Sequence, residues 1–189
     1  GRAGQLWLKA DANQLDLEGD WRYKNDAEPQ LPDVKFLNWK PGVLFNAMIK
    51  PLMPYAVKGV IWYQGEQNRH EPENYLKMFP AMVNDWRARW GIGDFAFYYV
   101  QIAPYISKTE KLSRAMLELQ PKVPFLREAQ LKAESVIPNS GMAVIMDVGT
   151  QNTIHPPDKQ TVSDRLSFIA LNKTYGFKNV PYQSPVYKS

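Results

Sequence analysis

The stretch Gly59-Val60-Ile61-Trp62-Tyr63-Gln64-Gly65-Glu66-Gln67-Asn68 decides the fold. Its first half is an unbroken apolar run, the pattern of a strand buried on both faces. Its second half is a tight polar turn. Two further runs of the same kind follow, Phe95 to Ile102 and Gly141 to Val148. Helical patterns separate them. Between Pro72 and Trp90, Tyr75, Met78, Phe79, Met82, Val83, Trp86 and Trp90 recur at three- and four-residue spacing. Glu71 and Glu73 suit the positive start of that helix, Arg87 and Arg89 its end, and Gly91 stops it. Pro124 to Val136 reads as a second helix, with Phe125, Leu126, Ala129, Leu131 and Ala133 mostly on one side. Pro157 to Tyr175 reads as a third, ended by Gly176. Val43 to Met53 has the density of a short helix that closes near Pro54.

From Pro41 onward the order is therefore α-β-α-β-α-β-α. Buried strands joined by helices predict an α/β fold with a parallel sheet and helices on each side. Ligands bind such sheets at the carboxyl ends of the strands. That rule selects the segments after Tyr63, after Ile102 and after Val148. Residues 1–38 read differently. Leu6-Trp7-Leu8 and Leu15-Asp16-Leu17 alternate, and Gly19-Asp20 precedes Trp21-Arg22-Tyr23, as in a β-hairpin-like arm too small to own a core. Asp26 to Asn38, with Pro29 and Pro32, reads as an extended connector. Residues 39–180 form the α/β portion, residues 104–120 within it are loop-like, and 181–189 are a tail.

The chain has 189 residues, enough to bury a core, and no Cys. Disulfides, thiolate metal sites and a Cys nucleophile are excluded. The net charge of +4 is scattered without a basic run, which argues against a nucleic-acid partner. No apolar stretch is long enough to span a membrane. Two distant His do not make a zinc set, and neither a phosphate loop nor a dinucleotide fingerprint is present, so no metal or cofactor is expected. Aromatics reach 13%. They suit sugar stacking, and they suit core packing equally.

Two segments carry candidate chemistry. The turn Gln64-Gly65-Glu66-Gln67-Asn68 concentrates amides, a carboxylate and a glycine at a strand end. Backbone N–H groups and amides there can face a developing oxyanion, Gly65 permits close backbone approach or a positive φ, and Glu66 can orient an imidazole or a sugar hydroxyl. The bland alternative is a polar loop that caps the next helix. His155, in Asn152-Thr153-Ile154-His155-Pro156, follows a central strand and is placed as a general base; a structural or exposed His is the alternative. His70 sits in a polar, solvated stretch.

The decapeptide from Gly59 resembles the G-V-I-W-Y-Q-G-E-S-N signature of sialate O-acetylesterases, members of the SGNH hydrolase superfamily. Four further stretches resemble the same family in order: Val43 to Ile49 with Pro51-Leu52, Phe79-Pro80-Ala81 with Asp85-Trp86-Arg87, Phe97 to Tyr105, and Gly141-Met142-Ala143-Val144 with Asp147, Ile154-His155-Pro156 and Lys159-Gln160. The resemblance covers roughly residues 40–176. It implies a three-layer sandwich with a flavodoxin-like parallel sheet and removal of O-acetyl groups from sialic acid or related sugars. It makes His155 the general base and Gln64, Gly65 and Asn68 the oxyanion or substrate contacts, with Glu66 matching the family's glutamate. It also implies a secreted or periplasmic protein.

Three positions depart from the family. No Ser stands in a G-Q-S-N or G-D-S block, the family's nucleophile context. Thr153 and Asn152 occupy the usual place of the triad Asp, which leaves Asp147, Glu66 or no residue as the acid. Gln67 replaces the signature Ser. The expectation is a C-terminal portion of an esterase whose first strand and serine lie outside this chain, inactive alone and apt to associate with the missing half or another copy through exposed strand edges. The alternative is a carbohydrate-binding or pseudoenzyme domain of the same fold.

Overall fold

A computed structural model describes residues 7–10, 13–16, 40–104, 122–150, 153–183 and 185. The chain divides into two compact units, Gly1–Asn46 and Ala47–Ser189. In the first, strands β1 (Trp7–Ala10) and β2 (Asn13–Asp16) pair antiparallel, with Trp7 opposite Asp16 and Ala10 opposite Asn13. Both strands fall within the stretch read as an arm, residues 1–38. The readings of Trp21 to Asn38 and of 105–120 lie outside the described residues.

The second unit is built on three parallel strands, β3 (Gly59–Trp62), β4 (Ala96–Val100) and β5 (Ser140–Ala143), in the order β3-β4-β5. Gly59 pairs with Ala96, and Phe97 with Ser140. Helix α1 (Pro72–Trp90) connects β3 to β4, α2 (Lys122–Val136) precedes β5, and α3 (Lys159–Lys173) follows it. Alternation along β4 explains the layers. Phe97 and Tyr99 point to one face, where they pack with Tyr75, Phe79 and Val83 of α1 and Leu126 and Ala133 of α2. Ala96 and Tyr98 point to the other, against Ile169 of α3. The result is the expected three-layer α/β sandwich, and every residue of β4 is buried.

Eight aromatic side chains, from Trp62 to Tyr99, pack in the first interface. Phe79 meets Tyr99 edge-on at 4.9 Å and Trp62 meets Trp86 at 5.8 Å. Such pairs contribute about 0.5–1.5 kcal/mol each beyond their buried area.

Four expectations change. First, β3 is buried on one face only. Val60 and Trp62 pack inward, but Ile61 remains 70% exposed. The reason is that α3 covers β4 and β5 and stops short of β3. Second, the run Gly141 to Val148 leaves the sheet after Ala143. A turn takes over, with Val148 N–H donating to Ile145 O at 3.1 Å. Third, the apolar stripe of α2 is incomplete: Phe125 and Leu131 are exposed, and Gln130 is fully buried in their stead. Fourth, the short helix after Val43 is wound as a π-helix over Phe45–Ile49, then as a 3-10 turn over Lys50–Leu52. Pro51 has no N–H to continue an α-helical ladder, and Met53 N–H bonds back to Lys50 O instead.

Candidate active site

The three strands run parallel, so the segments that follow them leave from one edge of the sheet. After β3, Gly65 adopts φ +152° and starts a 3-10 helix over Glu66–His70. Asn68 N–H closes it onto Gly65 O at 2.8 Å. Gly65 is buried, and a Cβ there would lie 3.0 Å from both Gln130 Nε2 and Ile102 Cγ2. The position needs glycine for its conformation and for its surroundings. Gln64 and Asn68 are brought together: Gln64 Nε2 donates to Asn68 Oδ1 at 2.7 Å. That bond uses an acceptor of Asn68 and leaves its amide donors available.

Glu66 is half-buried next to Tyr63 and Tyr75. Burial pushes the Tyr63 phenol up to about 12, and the Glu66 charge adds to the rise. Burial also raises Tyr75, with Glu66 again adding, while the Gln130 amide and the Trp62 indole work in the opposite direction. The Tyr75 hydroxyl donates to Gln64 O at 3.3 Å, anchoring α1 to the start of the loop.

After β4, Ile102 and Ala103 are gripped by α2. Ile102 N–H donates to Gln130 Oε1 at 3.0 Å, and the Arg127 guanidinium donates to Ile102 O and Ala103 O, each at 3.3 Å. Burial lowers the Arg127 pKa.

The segment after β5 packs over the one after β4, since a Cβ on Gly149 would fall 2.5 Å from the Pro104 ring. His155 is exposed, and its N–H donates to Thr153 Oγ1 at 3.1 Å. Among the described residues no side chain hydrogen-bonds its imidazole. Four residues on, Lys159 opens α3 and its Nζ stands 5.9 Å from the Tyr63 ring centroid. This contact ties the end of β3 to the helix that follows His155. Asp158 caps α3 through Thr161 N–H at 3.0 Å.

Asp147 occupies the turn after β5, and Arg165 of α3 binds both its carboxylate oxygens at 2.6 Å while also donating to Val144 O at 2.6 Å. That guanidinium holds the Asp147 carboxyl down at about 2. The candidates thus fall into two sets. Gln64, Gly65, Glu66 and Asn68 share one loop beside Tyr63, and Asp147 is paired with Arg165. Of the serines, Ser140 opens β5 at the opposite edge of the sheet with Oγ on Ile137 O, and Ser135, Ser163 and Ser167 are exposed on helices. Ser107 and Ser113 lie outside the described residues. Among the described residues no group of three or more His, Asp or Glu side chains clusters as a metal site.

The residues missed from sequence are Gln130, Arg127 and Arg165. A signal existed for the first two: they fall among Leu126, Ala129 and Ala133 at helical spacing, where a solvated helix face would not put polar residues. Nothing local identifies Arg165.

The profile of the family described as "Carbohydrate esterase, sialic acid-specific acetylesterase" matches residues 34–152. Sialate O-acetylesterase of Mus musculus is 36% identical over 77% of this chain and 29% of its own length. The Homo sapiens protein of that name is 35% identical over 78% of this chain and 30% of its own length. A crystal structure of a carbohydrate acetylesterase from Xanthomonas citri superposes with a TM-score of 0.66 at 40% identity, covering 77% of this chain and 32% of that one. The chain therefore spans about 30% of the length of the relatives it matches. By loop, fold and match alike, it belongs to the sialic acid-specific acetylesterase family of carbohydrate esterases.

Proposed function

We propose that this chain supplies the histidine and the oxyanion loop of a carbohydrate esterase that removes O-acetyl groups from sialic acid or a related acetylated sugar, with a serine nucleophile contributed from outside these 189 residues. The observation that supports the reading is the contact of Lys159, four residues after His155, with Tyr63, the residue before Gln64. In this scheme His155 takes the proton of the attacking serine. The Gly65 backbone N–H and the Asn68 amide stabilise the tetrahedral oxyanion. Collapse of that intermediate leaves an acetyl-serine and a free sugar hydroxyl; water, activated by His155, then releases acetate. Of the two candidate acids, Glu66 lies in the loop and orients the imidazole or a sugar hydroxyl. Asp147 acts through Arg165, shaping the turn that carries the His155 segment. The protein is secreted or periplasmic, and its macromolecular partner is the serine-bearing half of the same protein.

The test is acetate release from O-acetylated sialic acid. The chain alone should give none, and a longer protein carrying the serine should turn over. In that protein His155→Ala should lower the rate by about a thousandfold or more. A near-normal rate in the variant removes His155 from the mechanism. A second reading, a sugar-binding domain without chemistry, is favoured by one observation: among the described residues the imidazole has no carboxylate partner. It predicts sugar binding without turnover, even when the serine is present.

A further inference from the structure

Gln130 is a polar side chain with no exposed surface, in the stripe where α2 faces the sheet. Burying an amide is costly unless its hydrogen-bonding capacity is met. Here it is met by one construction. Its Oε1 accepts from Ile102 N–H at 3.0 Å, and its Nε2 faces Gln64 O at 3.4 Å and Val100 O at 3.5 Å. The orientation of the amide is fixed, because Ile102 N–H can only donate and therefore selects the oxygen. These three partners are main-chain groups at the exits of β3 and β4, and the Tyr75 phenol interacts with the same amide. The same Nε2 lies 3.0 Å from where a Cβ of Gly65 would stand, so it floors the glycine of the loop. Tyr99 donates its hydroxyl to the main-chain carbonyl of Gln130 at 2.7 Å.

We infer that Gln130 is a positioning residue: from α2, it holds the Gln64–Asn68 loop at the height above the sheet that lets its amides meet an oxyanion. The inference rests on the proposed esterase reading for its chemical meaning, though its geometric content stands apart from it. A hydrophobic side chain of similar length fills the space, leaves Ile102 N–H without its Gln130 acceptor in a closed environment, and strips the Gln130 donor from Gln64 O and Val100 O, with Gln64 O keeping only the Tyr75 hydroxyl. The loop then rises or turns to find water. A rise of an ångström in an oxyanion donor lowers turnover and leaves remote substrate contacts in place. Gln130 touches neither sugar nor serine and acts only through the loop.

The experiment compares Gln130→Met and Gln130→Glu with the unaltered protein, in two arms. The first follows amide hydrogen exchange in this chain. Gln130→Met should speed exchange at Ile102 and Asn68 by about tenfold or more and leave the β4–β5 pairing amides within about twofold. The second follows acetate release by the longer protein that carries the serine. Gln130→Met should lower kcat by roughly ten- to a hundredfold with KM within about threefold. Gln130→Glu supplies the reading a merely structural role would not move. A protonated glutamic acid has one O–H donor and one carbonyl acceptor and restores most of the pattern; the carboxylate has no donor. Its kcat relative to the unaltered protein at the same pH should therefore recover as pH falls from about 8 to about 5. Unchanged exchange at Ile102 and Asn68, or an equal rise at every amide, overturns the inference. So does a Gln130→Glu ratio flat with pH. If the unaltered longer protein releases no acetate, the esterase reading fails by itself, and the exchange arm still decides whether Gln130 holds the loop.

Discussion

At the scale of single residues, a few positions are committed to jobs that no other side chain can take. Gly65 is one. Its φ of +152° is strained for any residue with a Cβ, and a methyl group there would press Gln130 and Ile102 at 3.0 Å, forcing them to give by a few tenths of an ångström. Gly65→Ala should cost about 1–3 kcal/mol in chemical denaturation and lower any loop-dependent activity beyond that. Asp147 is another. Arg165 holds its folded-state carboxyl at about 2, below the ordinary value of 3.8. A depressed carboxyl stabilises the fold above its unfolded pKa, and the contribution disappears as pH falls from 3.8 towards about 2. Asp147→Asn should therefore flatten the acid limb of a pH–stability curve across that window and leave its alkaline limb unchanged. An acid limb identical in the two proteins would show that the pair contributes nothing to stability. Arg87 stands in the last turn of α1, as its sequence position implies, and is also buried: it donates to Phe95 O at 2.7 Å and Pro138 O at 2.8 Å, tying α1 to the amino-terminal ends of β4 and β5.

At the scale of elements, the two strands that flank β4 among the described residues are treated differently. Residues 139 and 143 direct their carbonyls to β4, with Phe97 N–H on Asn139 O and Gln101 N–H on Ala143 O. By alternation, Ser140 and Val144 direct theirs outward. Both are capped from α3: Lys173 Nζ donates to Ser140 O, and Arg165 to Val144 O. Cations on an edge block the approach of another strand. Replacing both Lys173 and Arg165 by Ala should open that edge and strengthen self-association by about tenfold in sedimentation velocity. An unchanged monomer fraction would show that the caps do not guard it. Helix α1 shows how far local pattern reaches. Its bounds, Pro72 and Trp90, follow from Pro at the start, apolar periodicity and a left-handed Gly91 at φ +67°. Its stripe is only approximate, since Met78 is 63% exposed.

At the scale of the whole molecule, β3 is the contrasting edge. Among the described residues it pairs only with β4, and Ile61 stands exposed beside the unpaired side. An apolar strand with open backbone groups invites a partner strand. The chain alone should associate with rising concentration, and Ile61→Lys should weaken that association at least about fivefold by light scattering. Equal association of the two proteins would place the contact elsewhere. The parallel α/β architecture, the bounds of α1, the amide-rich loop around Gly65 and the family are legible in the residues alone. Each of these is written in neighbouring residues, through the period of apolar side chains and the punctuation of Gly and Pro. The burial of Gln130, the pairing of Asp147 with Arg165, the end of β5 at Ala143 and the bare face of β3 emerge only once the chain is folded. Those outcomes depend on partners far apart in the chain, such as Gln130 and Gln64, separated by 66 positions. A polar group is buried only when such a partner meets its hydrogen bonds, and local periodicity carries no record of that meeting.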